Sequence, residues 1–299
     1  MSEKFFSAPA AQVAADYDGQ RLDNYLAREM KGAPRSLIYR LIRTGQVRIN
    51  SRRVSPDRKL RAGDIIRIPP HISLSSPSPA PPMSPSVLFE DESLLAVNKP
   101  AGMAAHGGSG ESHGVIERLR ASRPDRFLEL VHRLDKNTSG VLLLAKKASA
   151  LRGVHATWRA RKVRKIYHVW VFGKWSSKAA AHIDMPIKRT PVIGGKIAPD
   201  GRSALTRTSL LQQLSKAALL RADIATGRTH QLRVHLAAVG LPIIGDDKYG
   251  DFAANHALRQ KRMFLHAERL SFTHPLKDEE LTIIAPPPRE FTALQKVLS

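Results

Sequence analysis

Residues 131–147 read VHRLDKNTSGVLLLAKK, and the residue in them best suited to chemistry is Asp135. Arg133 precedes it by two positions, so an extended backbone sends both side chains to the same side. Asn137, Thr138, Ser139 and Gly140 follow, three hydrogen-bonding side chains and one permissive backbone position. Strand-like apolar segments close the stretch on both sides. A carboxylate held in this way at a strand edge, facing a cleft, can serve as a base or a nucleophile. The plainer role of an aspartate in a turn is to cap a helix or to bond its own backbone, and the turn alone does not choose between the two.

Other chemistry-bearing stretches are fewer. WRARKVRKIYH, residues 158–168, places Arg159, Arg161, Lys162, Arg164 and Lys165 in one short span without an acid, next to Tyr167. A solvated charge run is the bland reading, and a contact to a nucleic-acid backbone is the functional one. His230 and His235 in HQLRVH are five residues apart, about 500° of rotation on a helix, with no carboxylate between them. They read as structural or RNA-contacting histidines rather than metal ligands. HGGSG, residues 106–110, lacks the Lys-Ser/Thr that completes a phosphate loop. No metal and no organic cofactor is expected.

The elements that must position these groups fall into two domains. Residues 71–86, HISLSSPSPAPPMSPS, are dominated by Ser and Pro and are expected to form an extended linker. They divide a small module, residues 18–70, from a body, residues 87–299, with residues 1–17 as an N-terminal tail. In the module, Leu22, Tyr25, Leu26 and Met30 share one helical face, as do Leu37, Ile38, Leu41 and Ile42, and Gly45 suits the end of the second helix. QVRIN and DIIRIPP then read as short strands. Strand candidates in the body are SLLAVNK, VLLLAKK, KIYHVWVFG, LLRADIAT and ELTIIAP. ASALRGVHATW and THQLRVHLAAVG read as helices. The order is too irregular for a doubly wound parallel sheet, so the fold class is α+β, a mixed or antiparallel sheet with flanking helices.

Composition narrows the partners. Lys and Arg total 48 against 26 Asp and Glu, a formal charge of +22, and an anionic partner offsets the self-repulsion. Nucleic acid fits better than a membrane surface, because no long basic amphipathic helix is evident. The small module concentrates the charge: Arg35, Arg40, Arg43, Arg48, Arg52, Arg53, Arg58, Lys59, Arg61 and Arg67 face only Asp57 and Asp64. The chain has no cysteine, which excludes thiolate nucleophiles, disulfides and cysteine-based zinc sites. No apolar run approaches a membrane span, and MSEKFFSAPAAQVAADYDG lacks the apolar region of a signal peptide. A cytoplasmic address and a monomer are expected.

RLDNYL, RSLIYRLIRTGQVRIN and AGDIIRI together resemble the S-four-type RNA-binding domain over about residues 18–70. NKPAG, HRLDKNTSGVLLLAK, KIYHVWVFG, TGRTHQLRVHLA and RMFLHAERLSFTHP, in that order, resemble the pseudouridine synthases of the RluA family over about residues 88–285. That resemblance implies isomerisation of uridine within RNA, with large-subunit (23S) ribosomal RNA as the expected partner. Another large-subunit site, a transfer RNA, or a non-catalytic role in ribosome assembly are the alternatives. The family implies Asp135 as the essential residue, acting as a nucleophile at the sugar or as a base on the ribose proton beside the anomeric carbon. Tyr167 matches the active-site tyrosine and Arg233 the arginine that pairs with the carboxylate. Leu265 matches an apolar residue of the base pocket, and Arg133 the arginine that fills the space left by an everted nucleotide. Arg35, Arg40, Arg43, Arg48, Arg52, Arg53, Arg161, Lys162, Arg164 and Lys165 are the expected RNA contacts.

Overall fold

The computed structural model describes residues 10–30, 33, 35–69, 80–83, 85–107, 111, 113–124, 126–190, 194–260 and 262–298. The chain forms two compact units. Most of the Ser/Pro-rich linker, and the side chain of Arg35, lie outside the described residues.

The smaller unit contains β1 (Ala10–Gln12), α1 (Leu22–Glu29), α2 (Arg35–Arg43), β2 (Arg48–Ile49) and β3 (Ile65–Arg67). Its three strands form an antiparallel sheet in the order β1-β3-β2. Leu22, Tyr25 and Leu26 of α1 and Ile38, Leu41 and Ile42 of α2 are buried together with Val13, Val47, Ile49, Leu60 and Ile66. Gly45 adopts φ +73° just past α2, and its N–H donates to Ile42 O at 3.0 Å, the left-handed stop that a glycine allows. Residues 10–17, expected as tail, instead supply β1 and a single 3₁₀ turn, Ala15–Tyr17. Val13 accounts for part of the difference: it is 2% exposed, and its backbone bonds Asp64 O and Gly63 N–H beside the pairing of β1 with β3.

The larger unit runs through β4 (Val87–Glu90), β5 (Leu94–Lys99), α3 (Val115–Ser122), β6 (Glu129–Leu130), β7 (Ser139–Ala145), α4 (Ala148–Arg159) and β8 (Arg164–Phe172). It continues with α5 (Ser177–Ala180), β9 (His182–Asp184), β10 (Ile187–Thr190), β11 (Gly194–Ile197), β12 (Leu205–Gln213) and β13 (Ala217–Ile224). α6 (Gln231–Ala238), α7 (Phe252–Ala257), β14 (Leu265–Thr273), β15 (Glu280–Ile284) and α8 (Arg289–Leu298) complete it. Ten strands make one mixed sheet with the path β4-β5-β7-β14-β8-β13-β12-β9, to which β15 adds on β14 and β6 on β7. β10 and β11 form a separate hairpin. The expected α+β class with a mixed sheet is what forms, and the mixture comes from one place: among the described residues β7 and β14 alone pair in parallel.

β7 shows why its sequence does not alternate. All seven of its residues are buried, as in a strand enclosed on both faces. On one face Val97, Leu142 and Leu144 pack with Ile116 and Leu119 of α3. Val169, Leu220 and Ala222 pack with Leu232 and Leu236 of α6. Tyr167 touches both groups. On the other face Trp170 packs with Phe264 and with Phe291 and Leu294 of α8.

Candidate active site

Asp135 sits in the loop that joins β6 to β7. A turn closes directly behind it, with Thr138 N–H donating to Asp135 O at 3.1 Å. The far end of the loop is pinned at Ser139, the first residue of β7. Arg262 Nη2 donates to Ser139 Oγ at 3.0 Å, and Ser139 Oγ lies 2.9 Å from His266 Nδ1. His266 Nε2 is 3.0 Å from Ala285 O. For a neutral ring one proton arrangement satisfies all three contacts: Nε2–H donates to Ala285 and Nδ1 accepts from the serine. Burial agrees, since it pushes the His266 imidazole down to about 4. The near end is held by His132, whose Nε2 accepts from Leu143 N–H at 3.1 Å and whose ring stacks on Trp158.

The carboxylate itself is 30% exposed and meets two groups. Arg233 Nη1 lies 3.7 Å from Oδ2, and His230 Nε2 lies 4.0 Å from Oδ1. Tyr167, on β8, is close enough for the Asp135 charge to act on it. Burial first, and that charge second, push its phenol well above the usual range. At neutral pH Tyr167 is therefore a protonated phenol beside an acid.

Arg233 is placed by the first turns of α6, where Gln231 to Leu236 are all buried. Its shortest contacts are not to Asp135. Nε and Nη2 grip Asp246 in a two-pronged pair, both at 2.7 Å, and Nη2 also reaches Asp247 at 2.8 Å. Burial opposes the guanidinium charge, but the Asp246 hydrogen bond and the surrounding carboxylates more than compensate, so its pKa lies above the ordinary value. Asp246 is fully buried and also accepts from Lys248 N–H at 2.8 Å and Tyr249 N–H at 3.0 Å. Its oxygens are thus committed, leaving Asp135 as the carboxylate of the site that is open to solvent and not gripped at short range.

A family model for RNA pseudouridylate synthase matches residues 93–238, and one for the S4 domain matches residues 20–66. The ribosomal large subunit pseudouridine synthase C of Pasteurella multocida is 46% identical over 291 residues, covering 92% of this chain and 89% of that protein. The chain belongs to the RNA pseudouridylate synthase family. The synthase of the same name from Escherichia coli is 43% identical, covering 94% of this chain and 93% of that protein. Human RNA pseudouridylate synthase domain containing 1 superposes with a TM-score of 0.59 at 27% identity, over 69% of this chain and 84% of that one.

Within this family fold, the structure brings Asp135, Tyr167 and Arg233 together from the β6–β7 loop, β8 and α6. Leu265 opens β14, is 4% exposed and packs in the cluster that Tyr167 borders. Arg133 is exposed, with Nη1 3.5 Å from His106 Nε2. Arg161, Lys162 and Arg164 are exposed, and Arg164 Nε lies 3.3 Å from Asp223. Lys165 departs from the expected RNA contacts. It is 9% exposed, donates to Thr226 O at 3.2 Å, and burial pushes it down to about 8. Strand alternation gives the reason: on β8 Arg164 points outward, so its neighbour points in. In the smaller unit Arg40, Arg43, Arg52 and Arg53 are exposed, while Arg48 is half-buried and donates to Gly45 O at 3.1 Å.

Several contributors receive no role from sequence reasoning, although Lys99 lies within the NKPAG motif. Lys99 is fully buried, and its ammonium donates to Pro100 O, Met103 O and Lys136 O at 2.6–2.9 Å. It thereby ties the NKPAG turn to the residue that follows Asp135. Burial pushes Lys99 down to about 7, against the attraction of Asp135. A cavity of about 470 Å³ adjoins this tie, lined by Lys99, Asn137, Ser139 and Arg262 among others, but not by Asp135. Arg228 is acted on by Arg202 and Arg161, so Arg161 of the 158–168 run belongs to a larger cationic cluster assembled from separate segments.

Proposed function

We propose that this chain converts specific uridines of large-subunit ribosomal RNA to pseudouridine in the cytoplasm, with Asp135 as the essential carboxylate. The observation that carries the residue assignment is that Asp135 is partly exposed between Arg233 and His230, while the neighbouring Asp246 is consumed by Arg233. Ordinary glycoside hydrolysis uses two available carboxylates and admits water. One available carboxylate suits a reaction in which the released base stays and reattaches through carbon.

The reaction is balanced without any co-reactant. The N1–C1′ bond breaks, uracil turns in place, C5 bonds to C1′, and the proton on C5 is removed while N1 gains one. Asp135 supports two routes, attack on C1′ to give a sugar ester, or removal of the C2′ proton to give a glycal. Arg233, fixed by Asp246, orients the carboxylate in either route. Tyr167 offers a ring face to the base and a hydroxyl near C5. Leu265 contributes to the apolar wall. Arg133, Arg161, Lys162 and Arg164, with Arg40, Arg43, Arg52 and Arg53 of the S4 unit, are assigned to RNA phosphates and to the space vacated by the everted nucleotide.

The deciding experiment maps pseudouridines in ribosomal RNA from cells lacking the protein and from cells carrying Asp135→Asn. Loss of the same large-subunit sites in both is expected. In vitro, Asp135→Asn is expected to lower turnover by at least about a thousandfold, the scale of a positioned base or nucleophile, with RNA affinity nearly unchanged. Undiminished modification in the variant rules out Asp135. Loss confined to transfer RNA rules out the ribosomal substrate.

A further inference from the structure

His230 stands immediately before α6 with φ +58° and ψ +26°, a left-handed conformation that a residue with a side chain seldom adopts. Such outliers persist where the surroundings over-determine them, and they concentrate at sites with a task. The surroundings here are specific. Gly194 of the β10–β11 hairpin lies so close that a Cβ on it would come within 2.6 Å of His230 Cε1 and 2.7 Å of Nδ1. Nδ1 is 2.9 Å from Tyr249 Oη, which in turn accepts from Gly195 N–H at 3.0 Å. The imidazole is thus held from behind, with Nε2 aimed at Asp135 and its side chain only 15% exposed.

The gap in front of it is informative. Asp135 Oδ2 faces Arg233, so Oδ1 is the oxygen left for a substrate, and Oδ1 faces His230 Nε2 across 4.0 Å. That is too long for a direct hydrogen bond, yet one oxygen atom can sit about 2.8 Å from both. An ionised carboxylate only accepts. The bridging group must therefore donate to Oδ1 and turn a lone pair toward His230. A carboxylate opposite favours the tautomer with Nε2–H, which leaves Nδ1 as an acceptor. Tyr249 Oη–H has two acceptors within reach, Nδ1 at 2.9 Å and Gly195 O at 3.0 Å, and this tautomer gives its proton to Nδ1. His230 is neutral in this arrangement, in keeping with burial lowering its pKa despite the nearby Asp135 charge. The occupant has to donate and accept at one atom, which a hydroxyl group does and which a water molecule does where no substrate is bound.

A carboxylate acting at C1′ or C2′ of a ribonucleotide lies beside one such group. We propose that His230 and Asp135 together bind the 2′-hydroxyl of the target nucleotide, making His230 a determinant of specificity for ribose over deoxyribose. The hydroxyl is what distinguishes RNA from DNA at a single position. The inference rests on the reading of Asp135 as the reacting carboxylate, and it gives a function to a histidine whose sequence context offered only a structural or general RNA-contacting role.

The test uses the full chain and two copies of a large-subunit rRNA fragment containing the modified site, with uridine or 2′-deoxyuridine at the target. The unaltered protein is expected to bind the ribose form roughly fivefold to tenfold more tightly, the scale of one net hydrogen bond. His230→Ala is expected to lose most of the ribose preference, Asp135 keeping the remainder, with affinity for the deoxy form unchanged. His230→Gln, which keeps an N–H donor, is expected to recover part of the preference, and Tyr249→Phe, which frees Nδ1, to lose part of it. Equal weakening of both fragments by His230→Ala, or an undiminished ribose preference, overturns the proposal. If His230→Ala does not fold, Tyr249→Phe and His230→Gln decide by the same criterion. Asp135→Asn is assayed separately for product. Product formed by that variant breaks the carboxylate reading, whereas the binding difference at His230 is read independently of turnover.

Discussion

Arg233 carries one positive charge and meets three carboxylates, and the distances rank them. Asp246 at 2.7 Å and Asp247 at 2.8 Å fix the guanidinium plane, and Asp135 at 3.7 Å receives its field. A single charge shared in this order orients the acid without locking it, so Oδ1 stays available. Asp246 thus shapes the candidate site from within the buried interior, through Arg233. Asp246→Ala leaves a buried guanidinium without its main partner, a change that costs roughly 3 to 5 kcal/mol. Thermal melts are expected to show the loss together with a fall in turnover. A melting temperature within a degree of the unaltered protein would mean that Asp246 is not what holds Arg233.

At the level of elements, the parallel seam between β7 and β14 does the positioning. His266 pairs with Ser139 and Ala267 with Gly140, so the strand that starts just after Asp135 is registered against the strand that carries Leu265. Gly140 adopts φ +112°, and a Cβ on it would come within 2.2 Å of Ala267 O. Gly140→Ala therefore forces the seam apart, and a destabilisation of about 3 kcal/mol or more is expected in denaturant melts. His266 adds a pH dependence to the same seam. Its folded pKa of about 4 lies below the usual 6.5, so between those values the unfolded chain binds the extra proton. Stability is full above about pH 6.5 and declines as pH falls toward 4, by about 3 kcal/mol from this one group. His266→Asn is expected to flatten that part of the profile, and an unchanged slope would locate the titration elsewhere.

For the whole molecule, charge is the dominant fact. A net +22 is distributed over both units, and like charges such as Arg161, Arg202 and Arg228 are left near one another. Repulsion of that kind is relieved by a polyanion, and the gain appears as counterion release. RNA affinity is expected to fall steeply with salt. Replacing Arg40, Arg43, Arg52 and Arg53 together by Ala should lower the magnitude of the logarithmic salt slope by about 0.7 to 0.9 for each phosphate that is no longer neutralised. An identical slope would show that the S4 unit does not grip phosphate through these residues.

Local pattern sufficed wherever the physics was local. The apolar spacing of α1 and α2, the strands β5, β7 and β8, and the turn around Asp135 were all readable from residue order, because periodicity and turn chemistry involve neighbours in the chain. Asp135, Tyr167 and Arg233 could be singled out in their motifs, but their meeting point could not, since it requires β8, α6 and the β6–β7 loop to converge across a sheet. The interior course of Lys165 followed from one step of strand register that a basic run conceals. Lys99, Asp246 and the slot between His230 and Asp135 arise only when segments distant in sequence are packed. Burial gives each of these groups its strength, and burial is a property of the folded chain rather than of any stretch of it.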